Sequence, residues 1–301
     1  MRHGGEDAQV LPSARGTVEW AAKALCATCA CVSLVAASLI CLFLLVYGCA
    51  ASGKIGLAAL IAGKRWQPSA GLFGILPMVA GTLCITALAV LLAAPAGVLT
   101  AVFVARYCPA VVRTFARGCL RLLALIPSVV YGFFGLSVIV PAIGHVSGTS
   151  GTCILAASLV LAVMSLPTIA STLEAAIQAV PQSYFVAAAA LGACKDRGVF
   201  CVELHAARYG IIASVVLGAA RAAGETVAVM MVAGNQAWMP HGVIKGARTL
   251  TSNIALQMGW AVGLHRGALI ASALLLLVFT LVTNLVLTLL TRHEEARHEW
   301  W

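Results

Sequence analysis

The chain has 301 residues, 61% of them hydrophobic and only 10% charged, with a formal net charge of +9. That apolar share exceeds what a water-soluble domain of this length buries, which excludes a soluble enzyme or binding module. Nor does the positive balance make a nucleic-acid face: Lys and Arg are scattered between apolar runs, with no basic stripe interleaved with aromatics.

Long runs rich in Ala and Leu, without strict alternation, predict an all-α polytopic membrane protein rather than an outer-membrane barrel. Residues 1–20 read as a mobile tail. Six spans follow, at 21–47, 74–105, 118–140, 151–171, 211–233 and 267–290. The first run is too long for a signal-peptide core and is read as retained, with an outer loop completing 21–73. Val46-Tyr47-Gly48-Cys49 faintly resembles a lipoprotein cleavage box, but bulky Tyr47 fits it poorly. The second run is long enough to tilt, or to begin as an interfacial helix. Pro127 interrupts the third, where it removes a backbone donor and kinks the helix. Ser128 can satisfy the freed carbonyls, or those carbonyls line a cavity. Tyr131 reads as an interfacial belt residue, with the cavity as the other option. Gly132 and Gly135 permit close helix contact. Pro95, Pro141 and Pro167 read as kinks or span ends. Between the fourth and fifth spans lies a long segment, 172–210, with an amphipathic stretch at 183–204; residues 292–301 form a charged tail.

An even number of spans puts both termini on one side. With both inside, twelve Lys and Arg face the cytoplasm (Arg2, Arg15, Lys23, Arg106, Arg113, Arg117, Arg121, Lys195, Arg197, Arg208, Arg292, Arg297) against six outside (Lys54, Lys64, Arg65, Lys245, Arg248, Arg266). That bias predicts cytoplasmic termini. Most of the eleven cysteines lie inside apolar runs, where Cys acts as a small hydrophobe. His145, His205, His241 and His265 are dispersed and read as interfacial or loop residues; Asn235 and Asn253 read as helix caps or loop-shaping residues. His293-Glu294-Glu295-Ala296-Arg297-His298 misses the metalloprotease spacing by one residue, so no metal site is expected there. No phosphate-binding Gly-x4-Gly-Lys-Ser/Thr run and no convergent nucleophile, base and metal set is present. The chain is expected to carry no catalytic residues and no cofactor, and not to hydrolyse ATP itself.

Within the fifth span stand Arg221 and Glu225, followed by Thr226. An Arg at the bilayer centre costs roughly 2.5–3.5 kcal/mol on insertion scales, so the pair demands a reason. Spacing of i, i+4 places both on one helix face. Two readings stay open. In one, the face lines an anion path: Arg221 offers a planar fork for oxyanion oxygens, Glu225 holds it when empty or weakens it for release, and Thr226 adds a hydroxyl. In the other, the pair is a bridge between helices.

Three segments carry a family resemblance. Ile126–Gly135 (Ile-Pro-Ser-Val-Val-Tyr-Gly-Phe-Phe-Gly), Arg221–Asn235 (Arg-Ala-Ala-Gly-Glu-Thr-Val-Ala-Val-Met-Met-Val-Ala-Gly-Asn) and Thr249–Ala255 (Thr-Leu-Thr-Ser-Asn-Ile-Ala) resemble, in order and spacing, the PstC branch of bacterial phosphate importer permeases. In the 172–210 segment, Ala187, Ala188 and Gly192, followed by Val202 and Leu204, resemble the coupling loop of ABC importer permeases; Val186 stands where Glu is usual and His205 where Pro is usual. Glu174-Ala175-Ala176 spells that motif's opening but lacks its Gly, and is read as a decoy. The resemblance covers about 74–290 and implies a type-1 ABC permease core at 74–291 in the inner membrane. It also implies a PstA-type sister permease, a dimer of ATP-binding subunits docked on the coupling loop, and an external phosphate-binding protein. Alternating access driven by those ATPases follows. Rival readings are a same-fold permease for sulfate or molybdate and an ion-coupled secondary transporter.

Overall fold

A computed structural model describes residues 13–298. Residues 1–12 and 299–301, parts of the two expected tails, lie outside the described residues. Helix α1 (Ser13–Ile55) already begins within the first of them. From Ala24 to Gly53 it carries no charged residue on any face, as suits a lipid-embedded helix. After α2 (Leu57–Ala62), strands β1 (Trp66–Gln67) and β2 (Leu72–Phe73) form a small antiparallel hairpin, with Trp66 opposite Phe73. Gly71 closes its turn at φ 68°, a conformation glycine adopts without strain.

Then come α3 (Leu76–Val102), running into a π-helical turn (Phe103–Tyr107), and α4 (Ala110–Leu125). They are followed by α5 (Ser128–Phe134), a second π-turn (Gly135–Ile139), α6 (Val140–Ser147) and α7 (Ile154–Ala179). A connecting segment holds α8 (Gln182–Ala190), α9 (Lys195–Arg197), a π-turn (Gly198–Glu203) and α10 (Leu204–Ala206). The chain ends in α11 (Arg208–Gly224), α12 (Val227–Val232), α13 (Leu250–Gln257) and α14 (Gly263–His298).

Among the described residues five helical stretches are long and apolar enough to cross a membrane: Glu19–Gly53, Leu76–Tyr107, Ser128–Ser147, Ile154–Ala179 and Gly263–Leu285. A sixth appears if Lys195–Ala206 and Arg208–Gly224, bent by 69° at their junction, count as one. Three expected spans are corrected. The third is not 118–140. Ile126, just before Pro127, is extended (ψ 126°), because a residue preceding proline is driven out of the helical region. So α4, carrying Arg113, Arg117 and Arg121, is a separate helix, and the span starts at Ser128. The fourth runs on past 171 to Ala179, with Glu174 inside it paired to Arg117 at 2.6 Å, and stops where Val180, the residue before Pro181, is extended (ψ 125°); the connecting segment therefore begins at Val180. The fifth breaks after Gly224. Pro95 and Pro167 sit inside continuous helices, and Pro141 lies in the first turn of α6 directly after a π-turn, so none of the three ends a helix.

The centre of the bundle is α7, packed between α3 and α11. Fully buried Ile169 wedges between Gly97 of α3 and Gly218 of α11: a Cβ at either glycine would stand 2.7 or 2.6 Å from it. In lipid, where apolar contact brings no hydrophobic gain, such close backbone approach is the packing currency. Gly132 likewise lies against Met231 of α12, where a Cβ would meet the sulfur at 2.7 Å. At one end of the bundle the hairpin covers α13 and α14 through Leu60, Trp66, Phe73 and Leu250. His265 packs against this cluster from the first turn of α14, so it is not a loop residue. It is buried, within 3.0 Å of Gln257 Oε1, which also accepts the Trp66 indole N–H at 2.8 Å.

Candidate substrate path and coupling segment

Arg221 lies in the last turn of α11. The helix ends at Gly224; Glu225 is extended (φ −71°, ψ 131°) and α12 starts after Thr226. The expected helical i, i+4 pairing of Arg221 with Glu225 is therefore overturned, since that geometry needs a helix running through both residues. Among the described residues the ion pairs are Lys23–Glu19, Arg106–Glu203 and Arg117–Glu174, and Arg221 donates instead to the Thr168 hydroxyl of α7 at 3.3 Å. Arg221 is exposed, and Glu225 and Thr226 are half-buried; the Thr226 hydroxyl turns back on Gly224 O at 3.4 Å.

A break in a membrane helix leaves carbonyls that must find donors. The Glu225 carbonyl accepts from the Thr251 hydroxyl of α13 at 3.0 Å. Thr251 belongs to a buried hydroxyl set: Thr249 Oγ1 lies 3.0 Å from Thr251 Oγ1 and donates to Ser252 at 2.8 Å. Thr82 of α3 accepts the Leu250 N–H, docking α13 onto the bundle. Neither Thr168 nor this hydroxyl set was singled out as site residues in the sequence. The dense run of hydroxyls and an amide at 249–253, in an apolar chain, was the available signal. Arg248 holds the same region, donating to Asn235 O at 2.9 Å and Asn253 Oδ1 at 3.2 Å; burial pushes its guanidinium below the ordinary value. Asn235 sits at φ 50° and donates to Met230 O at 2.6 Å, closing the end of α12 as a cap. Fully buried Asn253 Nδ2 has no hydrogen-bond partner among the described residues.

Ser128 opens α5, half-buried. Tyr131 is not an interfacial belt residue: it is 8% exposed, and its hydroxyl donates to Leu123 O at 2.8 Å. Leu123 is the residue whose carbonyl the missing N–H of Pro127 would have served in a continuous helix. Tyr131 thus repairs the break between α4 and α5. Its ring lines an apolar cavity of about 230 Å³ with Val130, Phe134 and Val160.

In the connecting segment, Ala187 and Ala188 lie in α8, and Gly192 follows its end at φ 82°. Gly192 N–H donates to Ala189 O at 2.9 Å and Ala193 N–H to Ala188 O at 3.0 Å. This is a Schellman end, which favours a left-handed glycine and turns the chain away from the helix axis. The decoy motif is resolved differently: Glu174 is buried in α7, held by Arg117 and Gln178. The rest of the segment is gripped by the end of the second span. Arg106 donates to Glu203 at 2.7 Å and to Ile177 O at 3.1 Å, Tyr107 donates to Asp196 at 2.6 Å, and Lys195 stands 4.7 Å over the Tyr107 ring.

A bundle of five or six membrane-length helices, with a structured segment pinned to one end, is the architecture of a multi-pass membrane protein. The family model described as "Binding-protein-dependent transport system inner membrane component" matches residues 93–295. A probable ABC transporter permease, YqgH of Bacillus subtilis, is 35% identical, over 89% of each chain. The phosphate transport system permease PstC of Haemophilus influenzae is 30% identical, over 77% of this chain and 80% of its own, and that of Mycobacterium leprae 32%, over 71% and 74%. Among solved structures, an inward-facing MetNI methionine ABC transporter chain superposes with TM-score 0.59 at 21% identity, covering 76% of this chain and 99% of that one. The chain belongs to the binding-protein-dependent transport system inner membrane component family, the multi-pass permeases of ABC importers with the type-1 fold.

Proposed function

We propose that this chain is the PstC-type subunit of an inner-membrane phosphate importer, with both termini cytoplasmic. The observation that carries the reading is Arg221, placed where the helix is broken and hydrogen-bonded, among the described residues, only by a long contact to Thr168. A guanidinium has five donors, so most of its capacity is unspent. Inorganic phosphate at neutral pH is a compact anion of about −1 to −2 charge, which a path must solvate without retaining. Arg221 supplies the donors. Glu225, freed from a helical pairing by the break, lowers the net attraction, and Thr226 adds a hydroxyl beside them. The PstC relatives, about 30% identical over most of the chain, favour phosphate over other oxyanions.

The partners in this reading are a PstA-type sister permease, two ATP-binding subunits docked at α8 around Ala187, Ala188 and Gly192, and an external phosphate-binding protein that supplies selectivity. Closure of the ATPases pushes the 180–207 segment, and Arg106 and Tyr107 pass that push to the second span.

The test is uptake by the reconstituted complex. Arg221→Gln lowers phosphate flux by at least about tenfold, the worth of one charge-assisted hydrogen bond, while the complex with the ATPase persists. Unchanged flux removes Arg221 from the path, and loss of the assembled complex assigns it a structural role. Wild-type uptake of sulfate or molybdate in place of phosphate overturns the substrate, and uptake that survives ATP depletion overturns the ABC mechanism.

A further inference from the structure

A cavity of about 350 Å³ opens between α4 and α7, at the end of the bundle where the second span grips the connecting segment. Its lining includes Arg117 and Arg121 from successive turns of α4, and Ser171, Glu174 and Gln178 from α7. At about 30 Å³ per water, it has room for a small anion that keeps most of its hydration shell.

The charges in it are unequally committed. Glu174 Oε1 takes both the Arg117 contacts, at 2.7 and 2.6 Å, and the Gln178 amide at 2.9 Å. One carboxylate is thereby consumed by one guanidinium. Arg121, a helical turn further on, makes no hydrogen bond or ion pair among the described residues, which leaves the cavity with one positive charge to spare. The cavity also continues the face that Arg221 touches. Thr168, its partner, lies one turn before Ser171 on α7, about 4.5 Å along the axis.

We infer that this cavity is a release subsite for a phosphate-type oxyanion, with Arg121 as the first donor and Arg117 shared between the anion and Glu174. The inference rests on the anion-path reading above and extends it to the inner mouth. Two weak sites in series suit transport better than one strong one, because each step must be left as readily as it is entered. Glu174 keeps the subsite weak: any oxyanion drawing on Arg117 competes with a carboxylate already in place. The same chemistry would take the phosphate of a lipid headgroup, since α4 carries exposed Phe115, Leu122 and Leu125 alongside its arginines.

The test is product inhibition in proteoliposomes holding the whole importer. Uptake of labelled phosphate is measured while inorganic phosphate inside the vesicle is raised. Arg121→Gln shifts the half-inhibiting internal concentration upward by about tenfold, and Arg121→Lys shifts it less, because an ammonium keeps the charge but not the fork. Assembly of the complex stays unchanged. Equal half-inhibition in wild type and Arg121→Gln overturns the subsite, provided by design that both are measured in pure phosphatidylcholine and in membranes with added phosphatidylglycerol. A wild-type value raised by phosphatidylglycerol, and insensitive to it in Arg121→Gln, assigns the site to headgroups. Equal wild-type values in both membranes, with the Arg121→Gln shift intact, assign it to the free anion. If wild type carries another oxyanion instead, the phosphate reading fails, and the same comparison with that oxyanion inside still decides the subsite.

Discussion

Arg106 holds a carboxylate that has nowhere else to go. Glu203 is 2% exposed, while Arg106 keeps 27% of its side chain accessible, and the two meet at 2.7 Å. Replacing Arg106 with Ala removes the guanidinium, strands the Glu203 charge and frees the Ile177 carbonyl that Arg106 also serves. Breaking a buried pair from one side costs about 3–5 kcal/mol, because the remaining ion has lost its water and gained nothing. Removing both charges costs much less, since the burial penalty leaves with them. The expected series is therefore a large loss for Arg106→Ala, a smaller one for Glu203→Gln, and a loss well below their sum in the double variant Arg106→Ala with Glu203→Gln. Thermal unfolding of the purified complex in nanodiscs reads the stability, and ATP turnover coupled to uptake reads whether the connecting segment is still held against the second span. Losses that simply add, with a coupling energy under about 0.5 kcal/mol, would show that the pair does not act as a unit and would refute the clamp.

Two further substitutions probe the breaks. Gly192→Val forces a β-branched residue into the left-handed region, where no neighbouring atom stands in its way, so the cost is backbone strain alone, about 1–2 kcal/mol. Gly192→Asn should retain near-normal ATPase docking and coupled turnover while Gly192→Val impairs both; equal behaviour of the two would remove the Schellman end from the coupling account. Tyr131→Phe leaves the Leu123 carbonyl with only the long Ile126 N–H contact at 3.4 Å and should lower stability by about 0.5–1.5 kcal/mol in thermal unfolding with the ring packing unchanged. A wild-type melting curve would show that the Ile126 N–H alone suffices for that carbonyl.

How far each feature was legible depends on the range of the interaction that made it. Gly192 was readable as a helix end because a Schellman turn closes within six residues of chain. The decoy at Glu174 was readable from spacing, although its Arg117 partner was not. The boundary at Ile126–Pro127 carried a local signal, and the 118–140 span misread it by treating the proline as a kink; the restriction on the preceding residue marks a true end. The break after Gly224 was not legible. Its carbonyl is served by Thr251, twenty-six residues away, and its arginine by Thr168, fifty-three residues away.

Composition, run length and the placement of rare charges determined by themselves that this is a multi-pass helical protein with a costly arginine in its fifth apolar segment. They could do so because the hydrocarbon layer penalises each exposed polar group one residue at a time. Tertiary packing decided that Arg221 and Glu225 do not share a helix, that Tyr131 mends a break, and that Arg117 and Arg121 converge on one cavity with α7. For the arginines the deciding partner comes from a distant part of the chain, and for Tyr131 from across the proline break eight residues back; a broken helix is stable only where such a partner satisfies the carbonyls it frees.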